Sequence, residues 1–291
     1  MLDFFIRHNI VPFVEESVMT KPYDTAREER DYLLEYKSID LGALYREEIL
    51  GVPLDNVTRD EAVAVIMDLI EKKNGPQHIF FLDPEKLMRI RSRKKLKFIV
   101  EDARMILADG AGLLWGSEKL GHPLKERIPM IAFLMDVIRL SVKKDFTIYL
   151  LGSRSEHLEK VFMNLQKSFP GVRIIGRQSG YFNPARESLI KESLRKSAPD
   201  LIFLGMGFPL QEKWFRENKA HLSNAVVVGV DGAFDILSGK IKKGPDWAQT
   251  RGLIWLWRSV SRPWNVLRFY RMLSYYTKIF FTAMFKKKDA F

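Results

Sequence analysis

Polar side chains and glycines follow directly after several apolar runs of this chain, an arrangement typical of a ligand site in an α/β sheet. Between residues 199 and 247, the apolar runs Leu201–Leu204 and Ala225–Val230 both lead into glycines. Four polar residues come soon after them: Gln211, Glu212, Asp231 and Asp235. In an open parallel sheet, ligands bind just beyond the carboxyl ends of the strands. The pattern therefore predicts a binding site made of strand ends.

A dinucleotide is the first ligand to consider, because Gly205 and Gly207 follow a strand signal and begin a G-x-G pattern. The third glycine of the dinucleotide fingerprint would fall near Leu210, and Pro209 is unusual in a phosphate-binding turn. The lone G-x-G is therefore weak support for a dinucleotide, and another ligand is favoured.

Three more apolar runs lead into residues that suit catalysis or phosphate binding. The residues that follow these runs are Asp83, Asp109, and Gly152 with Ser153. If the strand ends converge, carboxylates line one side of a cleft and backbone N–H groups at helix starts line the other, where a diphosphate binds well. The sequence contains no D-x-D pair that would hold Mg²⁺ against a nucleotide diphosphate. Basic side chains would then have to neutralise a leaving diphosphate.

Helix and strand signals alternate along the middle of the chain. Thr58 and Glu61 form a capping box at the start of one helix. Further helices are predicted over 85–100 and 155–168, and a strand is predicted over 172–176. This alternation predicts an α/β fold, a Rossmann-like parallel sheet covered by helices.

Composition excludes some kinds of site. With 291 residues and 46% hydrophobic content, the chain can bury a substantial core. It has no cysteine, which excludes disulfides and thiolate metal sites. Its five histidines are scattered without ligand spacing. We therefore expect no cofactor and no metal.

The chain divides by charge into three parts. Residues 1–45 are predicted to form a charged helical extension, residues 46–243 the α/β core, and residues 244–291 a basic, aromatic helical appendage. Residues 240–291 hold twelve Lys and Arg against two Asp, whereas residues 1–48 carry six basic and eleven acidic side chains. The positive charge is therefore concentrated toward the C-terminal end.

Large apolar side chains alternate with these cations, among them Trp255, Trp257, Trp264, Tyr270 and Phe280. Basic and aromatic residues together suit a helix that lies in a membrane interface against anionic lipid. The apolar runs are too short to span a bilayer. The alternative is a terminal helix that packs its aromatic residues on the core and solvates its cations. No recognition motif accompanies the charge, so a nucleic-acid partner is not expected.

The start of the chain shows no secretion signal. Asp3 precedes short apolar runs that lack a cationic lead and a small-residue cleavage site. The expectation is a cytoplasmic protein, peripheral on the inner face of the cell membrane. Exposed apolar surface on the appendage would also favour a homo-oligomer away from the membrane.

Eight short segments of the sequence carry a family resemblance through their order and spacing. They are ILGVPLDNVTRDEA (49–62), ADGAGL (108–113), ER (126–127), LLGS (150–153), GYF (180–182), PDLIFLGMGFPLQEKW (199–214), GVDGAFDILSGKIKKGPDW (229–247) and GLIWLWR (252–258). In this order the segments resemble the WecG/TagA/CpsF family of bacterial glycosyltransferases.

The resemblance implies a reaction in cell-surface polysaccharide biosynthesis. An N-acetylmannosamine-type sugar would pass from a UDP donor to a polyprenyl-diphosphate-linked N-acetylglucosamine, with inversion and without metal. By motif position, Asp109 would be the general base that takes the proton of the acceptor hydroxyl, as a carboxylate can. Without the resemblance, Asp-Gly after a strand is equally typical of a turn.

The resemblance also implies roles for the other site residues. Backbone amides would approach the nucleotide and diphosphate at Gly152, Ser153, Gly205 and Gly207. Side chains would hydrogen-bond the base or ribose at Gln211 and Glu212, although Gln-Glu at a helix start is also a routine capping pair. Further donor-side residues are Tyr181, Pro209, Gly229, Asp231, Gly232 and Asp235. Acceptor or diphosphate contacts are expected from Asp83, Arg127, Arg258, Arg262 and Arg268.

The sequence departs from the family pattern at five positions. Its residues there are Phe81, Asp83, Met130, Ala132 and Ile254, where Thr, Asn, Gly, an acidic residue and Glu are common. These replacements predict fewer polar contacts on the acceptor side, beside a nearly intact nucleotide side. A changed sugar or acceptor is one interpretation. The other is a non-catalytic or weakly active UDP-sugar-binding relative at the membrane.

Overall fold

The computed structural model of the chain describes residues 45–240 and 266–288. Predictions for the N-terminal extension and for Ile254, Arg258 and Arg262 lie outside the described residues. In chain order, the described elements are β1 (Arg46–Ile49), β2 (Val52–Asp55), α1 (Arg59–Lys72), β3 (Gln77–Leu82), α2 (Pro84–Ser92), a 3₁₀ turn (Lys94–Leu96), α3 (Phe98–Asp102), β4 (Ala103–Ala108), α4 (Ala111–Lys119), α5 (Met130–Lys144), β5 (Thr147–Gly152), α6 (Ser155–Ser168), β6 (Arg173–Gln178), α7 (Pro184–Ser197), β7 (Leu201–Gly205), α8 (Leu210–Asn218), a second 3₁₀ turn (Lys219–His221), β8 (Val226–Gly229), α9 (Ala233–Leu237) and α10 (Val266–Lys288).

Six strands form the central sheet, in the order β4-β3-β8-β7-β5-β6. Every neighbouring pair in this sheet is parallel, and β1 and β2 form a separate antiparallel pair. Helices pack on both faces of the sheet. The α/β fold with a Rossmann-like parallel sheet, predicted from the alternating signals, is confirmed.

Alternate residues of each strand enter different cores on the two faces of the sheet. In β3, Ile79 and Phe81 pack into the core that α1 and α5 cover, whereas Phe80 and Leu82 pack into the core on the opposite face. Strands that are buried on both faces read as continuous apolar runs. This is why β7, buried along its whole length, gives a strong signal in the sequence.

The sequence predicts where helices begin more accurately than where they end. The capping box at Thr58 and Glu61 is present, with each side chain bonded to the backbone N–H of the other. The single helix predicted over 85–100 is wrong, because α2 ends at Ser92 and α3 begins at Phe98. A continuous helix would have carried Lys94 into line with the buried Ile90. The break leaves Lys94 exposed and allows Leu96 to be buried instead.

The C-terminal helix α10 packs across α2 and α4. Its buried residues are Met272, Tyr275 and Ile279. The hydroxyl of Tyr275 donates to the carbonyl oxygen of Gly112 at 2.8 Å, and Arg271 pairs with Glu85 at 2.9 Å. One face of the appendage therefore packs on the core. No helix within the described ranges has the length and apolar character needed to cross a membrane.

Candidate active site

Three carboxylates follow three adjacent strands at the carboxyl edge of the sheet. Asp109 follows β4, Asp83 follows β3, and Asp231 lies two residues beyond β8. The backbone N–H of Asp109 donates to Leu82 O at 2.8 Å, which continues the pairing of β3 and β4 past the strand ends. A Cβ added at Gly110 would lie 4.0 Å from the Cβ of Asp83. The structure therefore brings the predicted acidic residues of the cleft to one edge.

Asp109 combines partial exposure with a perturbed ionisation. Its side chain is 29% exposed to solvent, and its Oδ1 lies 3.7 Å from Nη2 of Arg127. Burial raises the pKa of Asp109, while the positive charge of Arg127 acts against this and the negative charge of Asp83 adds to it. A carboxylate that is reachable by a ligand and has a raised pKa suits a general base.

Asp83 caps a helix and is also a residue of the site. It is the N-cap of α2, where its Oδ1 accepts from the backbone N–H of Lys86 at 2.9 Å. Pro84 follows at the first helical position, where its fixed φ suits the start of α2 directly after β3. The cap fixes the carboxylate of Asp83 beside the turn that carries Asp109.

Lys86 is a charged site residue that the sequence analysis did not identify. Its Nζ is ion-paired with Asp231 and donates to Phe81 O at 2.6 Å. Burial alone would lower the pKa of Lys86, but the charges of Asp231 and Asp83 raise it above its usual value. A signal was available in the sequence, because a lysine in the first turn of a helix opposes the helix dipole.

Gln211 has all its side-chain groups committed inside the protein. Its Oε1 accepts from the backbone N–H groups of Asp231 (3.1 Å) and Gly207 (3.3 Å). Its Nε2 donates to Glu212 Oε1 at 2.8 Å and to Asp231 Oδ1 at 3.1 Å. In this geometry Gln211 positions its neighbours. Its predicted contact with a base or ribose stays a prediction and would require some of these bonds to be exchanged.

Glu212 and His78 are buried beside this network, and each has an atom without a hydrogen-bond partner: Oε2 of Glu212 and Nε2 of His78. Burial and the charge of Asp231 raise the pKa of Glu212 to about 7. Burial, with a smaller contribution from Lys86, lowers the pKa of His78 to about 3. His78 is therefore neutral at physiological pH and stacks on Phe215, with 4.8 Å between ring centroids.

Close packing requires three of the predicted donor-side glycines. A Cβ at Gly152 would lie 2.4 Å from the backbone of Gly205, and one at Gly205 would lie 2.5 Å from the Phe234 ring. A Cβ at Gly229 would lie 2.6 Å from Nε2 of Gln211. By contrast, added Cβ atoms at Gly207 and Gly232 would meet no atom within 4 Å. Backbone approach by a ligand is therefore least obstructed at Gly207 and Gly232.

The remaining donor-side residues lie in the segments that follow β5, β6, β7 and β8. Ser153 follows β5, and its hydroxyl donates to Asp235 Oδ1 at 3.2 Å. Pro209 occupies the N-cap position of α8, without a side-chain capping bond, and follows a cis peptide bond. Tyr181 is 73% exposed in the loop after β6, and its ring centroid lies 5.9 Å from the guanidinium carbon of Arg154. Ser153 and Tyr181 belong to one loop cluster, because Gly180 N donates to Ser153 O at 3.0 Å.

Arg268 is the one predicted phosphate-binding arginine of the appendage that falls within the described residues. It lies in the first turn of α10, and its Nε is buried without a hydrogen-bond partner. Across residues 45–240 and 266–288, no group of three His, Cys, Asp or Glu side chains is arranged to hold a metal ion.

The departures at Phe81, Met130 and Ala132 do not remove polar contacts from a cleft, which corrects the interpretation drawn from the sequence. All three side chains are buried, and Phe81 and Met130 belong to the apolar core under α1 and α5. Phe81 packs edge-on against Phe133, with 5.5 Å between ring centroids. Among the described departures, Asp83 is the one whose side chain lies among the carboxylates of the site, whereas Phe81 contributes its backbone oxygen to Lys86.

Comparison with known proteins identifies the class of this fold and site. Residues 47–290 match the sequence profile of the Glycosyl transferase WecG/TagA/CpsF family. The match covers most of the chain, which therefore belongs to this family of glycosyltransferases, and the resemblance found in the sequence is confirmed.

Two similar proteins carry the name N-acetylglucosaminyldiphosphoundecaprenol N-acetyl-beta-D-mannosaminyltransferase. The one from Bacillus subtilis (strain 168) is 28% identical over 176 residues, which are 60% of this chain and 67% of the relative. The one from Staphylococcus aureus (strain NCTC 8325 / PS 47) is 27% identical over 215 residues, which are 73% of this chain and 84% of the relative.

Proposed function

We propose that the protein transfers an N-acetylmannosamine-type sugar from a UDP-sugar to a polyprenyl-diphosphate-linked N-acetylglucosamine in cell-surface polysaccharide biosynthesis. The names of the similar proteins support the sugar and the lipid acceptor. The observation that carries the proposal is Asp109, a partly exposed carboxylate between Arg127 and Asp83 at the carboxyl edge of the sheet.

The proposed chemistry is a single displacement. The acceptor hydroxyl attacks the anomeric carbon of the donor as Asp109 takes its proton. The new glycosidic bond forms while the bond from the anomeric carbon to the diphosphate oxygen breaks, and UDP leaves with that electron pair. Attack opposite the leaving group inverts the anomeric configuration. No metal is part of this proposal.

We place the donor at the ends of β5, β7 and β8. The backbone at Gly207 and Gly232 borders open space, so a diphosphate can approach it closely there. The N–H of Gly232 can donate to the diphosphate in this proposal, whereas that of Gly207 would first have to exchange its bond to Gln211 Oε1. Arg268 supports the leaving group in this proposal, because a buried guanidinium Nε without a partner is costly until an anion binds it. Arg258 and Arg262 stay predicted phosphate contacts.

The membrane is the second partner in this proposal. The face of α10 away from the core exposes large apolar side chains and Lys278: Leu267, Tyr270, Phe280, Phe281, Met284 and Phe285. Such a face suits an interfacial helix on an anionic bilayer. A peripheral position on the inner face of the membrane would bring the lipid-linked acceptor to the sheet edge.

A screen for UDP release tests this function. Purified full-length protein is incubated with UDP-N-acetylmannosamine, UDP-N-acetylglucosamine or UDP-glucose, each with and without a short-chain polyprenyl-diphosphate-N-acetylglucosamine. We expect acceptor-dependent UDP release that is fastest with UDP-N-acetylmannosamine. UDP binding without turnover across the panel would contradict the proposal and would favour a non-catalytic UDP-sugar-binding protein.

A further inference from the structure

Lys86 has no part in the mechanism above, yet it is more enclosed than Arg127, the cation that faces Asp109. Its side chain is 6% exposed, compared with 26% for Arg127. It lies in the first turn of α2, where a cation opposes the helix dipole. Burial of an ammonium group adds a desolvation cost. The position is therefore stable only because its partners compensate the charge.

These partners come from both sides of the cleft. Nζ of Lys86 donates to Phe81 O at 2.6 Å on its own side and is ion-paired with Asp231 beyond β8. The rings of Phe80 and Phe208 border the ammonium group, with centroids 5.0 Å and 5.7 Å from Nζ. Lys86 therefore ties the end of β3 to the residue that follows β8.

Asp231 is held in a turn that needs this support. Its backbone φ is 45°, a left-handed conformation that costs free energy in a residue with a side chain. Gln211 bonds both its backbone N–H and its Oδ1, each at 3.1 Å. Lys86 occupies the other carboxylate oxygen, Oδ2. Removing Lys86 would leave Asp231 with a partly buried, uncompensated charge beside the other carboxylates of the site.

We propose that Lys86 is a positioning residue of the transfer reaction, which fixes Asp231 to the end of β3 and places a positive charge at the strand ends where Asp109 lies. The inference rests on the proposed function, because it takes Asp109 as the general base. The titratable and charged groups around Lys86 are Asp83, Arg89, Asp109, Glu212, Asp231 and the neutral His78, and Arg127 faces Asp109.

The sign of the expected effect follows from these charges. Lys86 lowers the pKa of Asp109, against the raising effects of burial and of Asp231. Loss of the ammonium group therefore raises the pKa of Asp109 further. A general base acts when it is deprotonated, so activity is lost as pH falls through this pKa. The acid limb of the pH profile of kcat should then move to higher pH.

The experiment compares Lys86→Met, which keeps most of the stem without the charge, with Lys86→Arg, which keeps the charge. Lys72→Met is the matched control, because Lys72 is an exposed lysine on α1 that pairs with Asp68. We expect Lys86→Met to move the acid limb upward by about one pH unit, with the KM for donor changed by about threefold or less. Lys86→Arg keeps the charge, so its acid limb should stay close to that of the unsubstituted protein. Lys72→Met should match the unsubstituted protein.

A second measurement reads Asp109 without turnover. The carboxyl titration of Asp109 is followed by carbon NMR in Asp231→Asn and in the double variant Lys86→Met with Asp231→Asn. The partner is neutral in both, so neither leaves a buried unpaired carboxylate and only the charge of Lys86 differs. We expect the higher Asp109 midpoint in the double variant.

The possible outcomes separate this inference from the proposed function. Lys86→Met could be less stable yet leave the pH profile of kcat and the Asp109 midpoint unchanged. That result would show that Lys86 has only a structural role and would overturn the inference. If the unsubstituted protein turns over no donor, the proposed function fails, and equal Asp109 midpoints in the two Asp231→Asn backgrounds would still overturn the charge effect assigned to Lys86.

Discussion

Asp109 is the residue on whose ionisation the proposed reaction depends. Its carboxylate lies 3.7 Å from the guanidinium of Arg127. Burial and Asp83 raise its pKa, whereas Arg127 lowers it. Because the neighbouring charges act in opposite directions, substitutions of Arg127 and Asp83 should move the activity of the enzyme along the pH axis in opposite directions.

We predict that Asp83→Asn moves the acid limb of kcat to lower pH, because it removes a negative charge beside Asp109. Asparagine caps helices as well as aspartate does, so α2 should keep its start. Arg127→Gln should move the same limb to higher pH by about one unit. The measurement is the pH profile of kcat, with Asp68→Asn on α1 as the control. Shifts of the same sign for Asp83→Asn and Arg127→Gln would contradict this account of the site.

Sequence reasoning found the residues of the site whose role depends on their place after a strand. Asp109 and Asp231 could be located because each stands directly beyond a recognisable apolar run. Lys86 could not be paired from the sequence, because its partner Asp231 is 145 positions away. The internal bonds of Gln211 were equally hidden, since they depend on how β8 and α8 meet.

At the scale of elements, the contact between α10 and α4 depends on glycine. A Cβ at Gly116 would lie 2.1 Å from the hydroxyl oxygen of Tyr275 and 3.3 Å from Ile279. A Cβ at Gly112 would lie 2.9 Å from Pro84 and 3.0 Å from the hydroxyl of Tyr276. The small surface of α4 therefore lets the tyrosines of α10 approach its backbone.

We predict that Gly116→Ala destabilises the protein by about 1–3 kcal/mol through overpacking, although alanine favours a helix. Tyr275→Phe removes the hydroxyl that an alanine at position 116 would meet. By itself it should cost about 1 kcal/mol, because the hydrogen bond to Gly112 O is lost. In the Tyr275→Phe background, Gly116→Ala should then cost less, which urea unfolding of the four proteins measures as a coupling free energy. Strict additivity would contradict the packing described here.

The elements that sequence could predict are those with a continuous signal. Strands such as β7 are buried on both faces and are read directly from apolar runs. The break between α2 and α3 was missed, because the charged residues there have good helix propensity and tertiary burial of Leu96 decides the geometry. The sequence also left open which face of α10 packs on the core.

At the scale of the whole molecule, one face of α10 packs on the core and another exposes large apolar side chains. Tyr275 and Ile279 pack on the core, while Phe280 and Phe281 are each 53% exposed. Deleting the appendage would expose Trp115 of the core, because the ring of Tyr276 on α10 packs on it with 5.2 Å between ring centroids. Substitutions on the outer face are therefore a sharper test of membrane binding than truncation.

We predict that replacing Phe280 and Phe281 together with Ser weakens binding to anionic liposomes by about tenfold or more, because two large apolar side chains no longer enter the interface. The measurement is co-sedimentation with vesicles that contain phosphatidylglycerol. Leu189→Ser is the control, since Leu189 is an exposed apolar residue on α7, which packs on β6 at the far edge of the sheet. Equal binding of all three proteins would exclude a membrane role for this face of α10.

The most direct test of the proposed function is the turnover of Asp109→Asn compared with its binding of UDP. Asparagine keeps the shape of Asp109 but cannot take the proton of the acceptor hydroxyl. We expect kcat with UDP-N-acetylmannosamine and the lipid-linked acceptor to fall by about 100-fold or more, while the Kd for UDP changes by about threefold or less. Turnover of Asp109→Asn close to that of the unsubstituted enzyme would show that Asp109 is not the base.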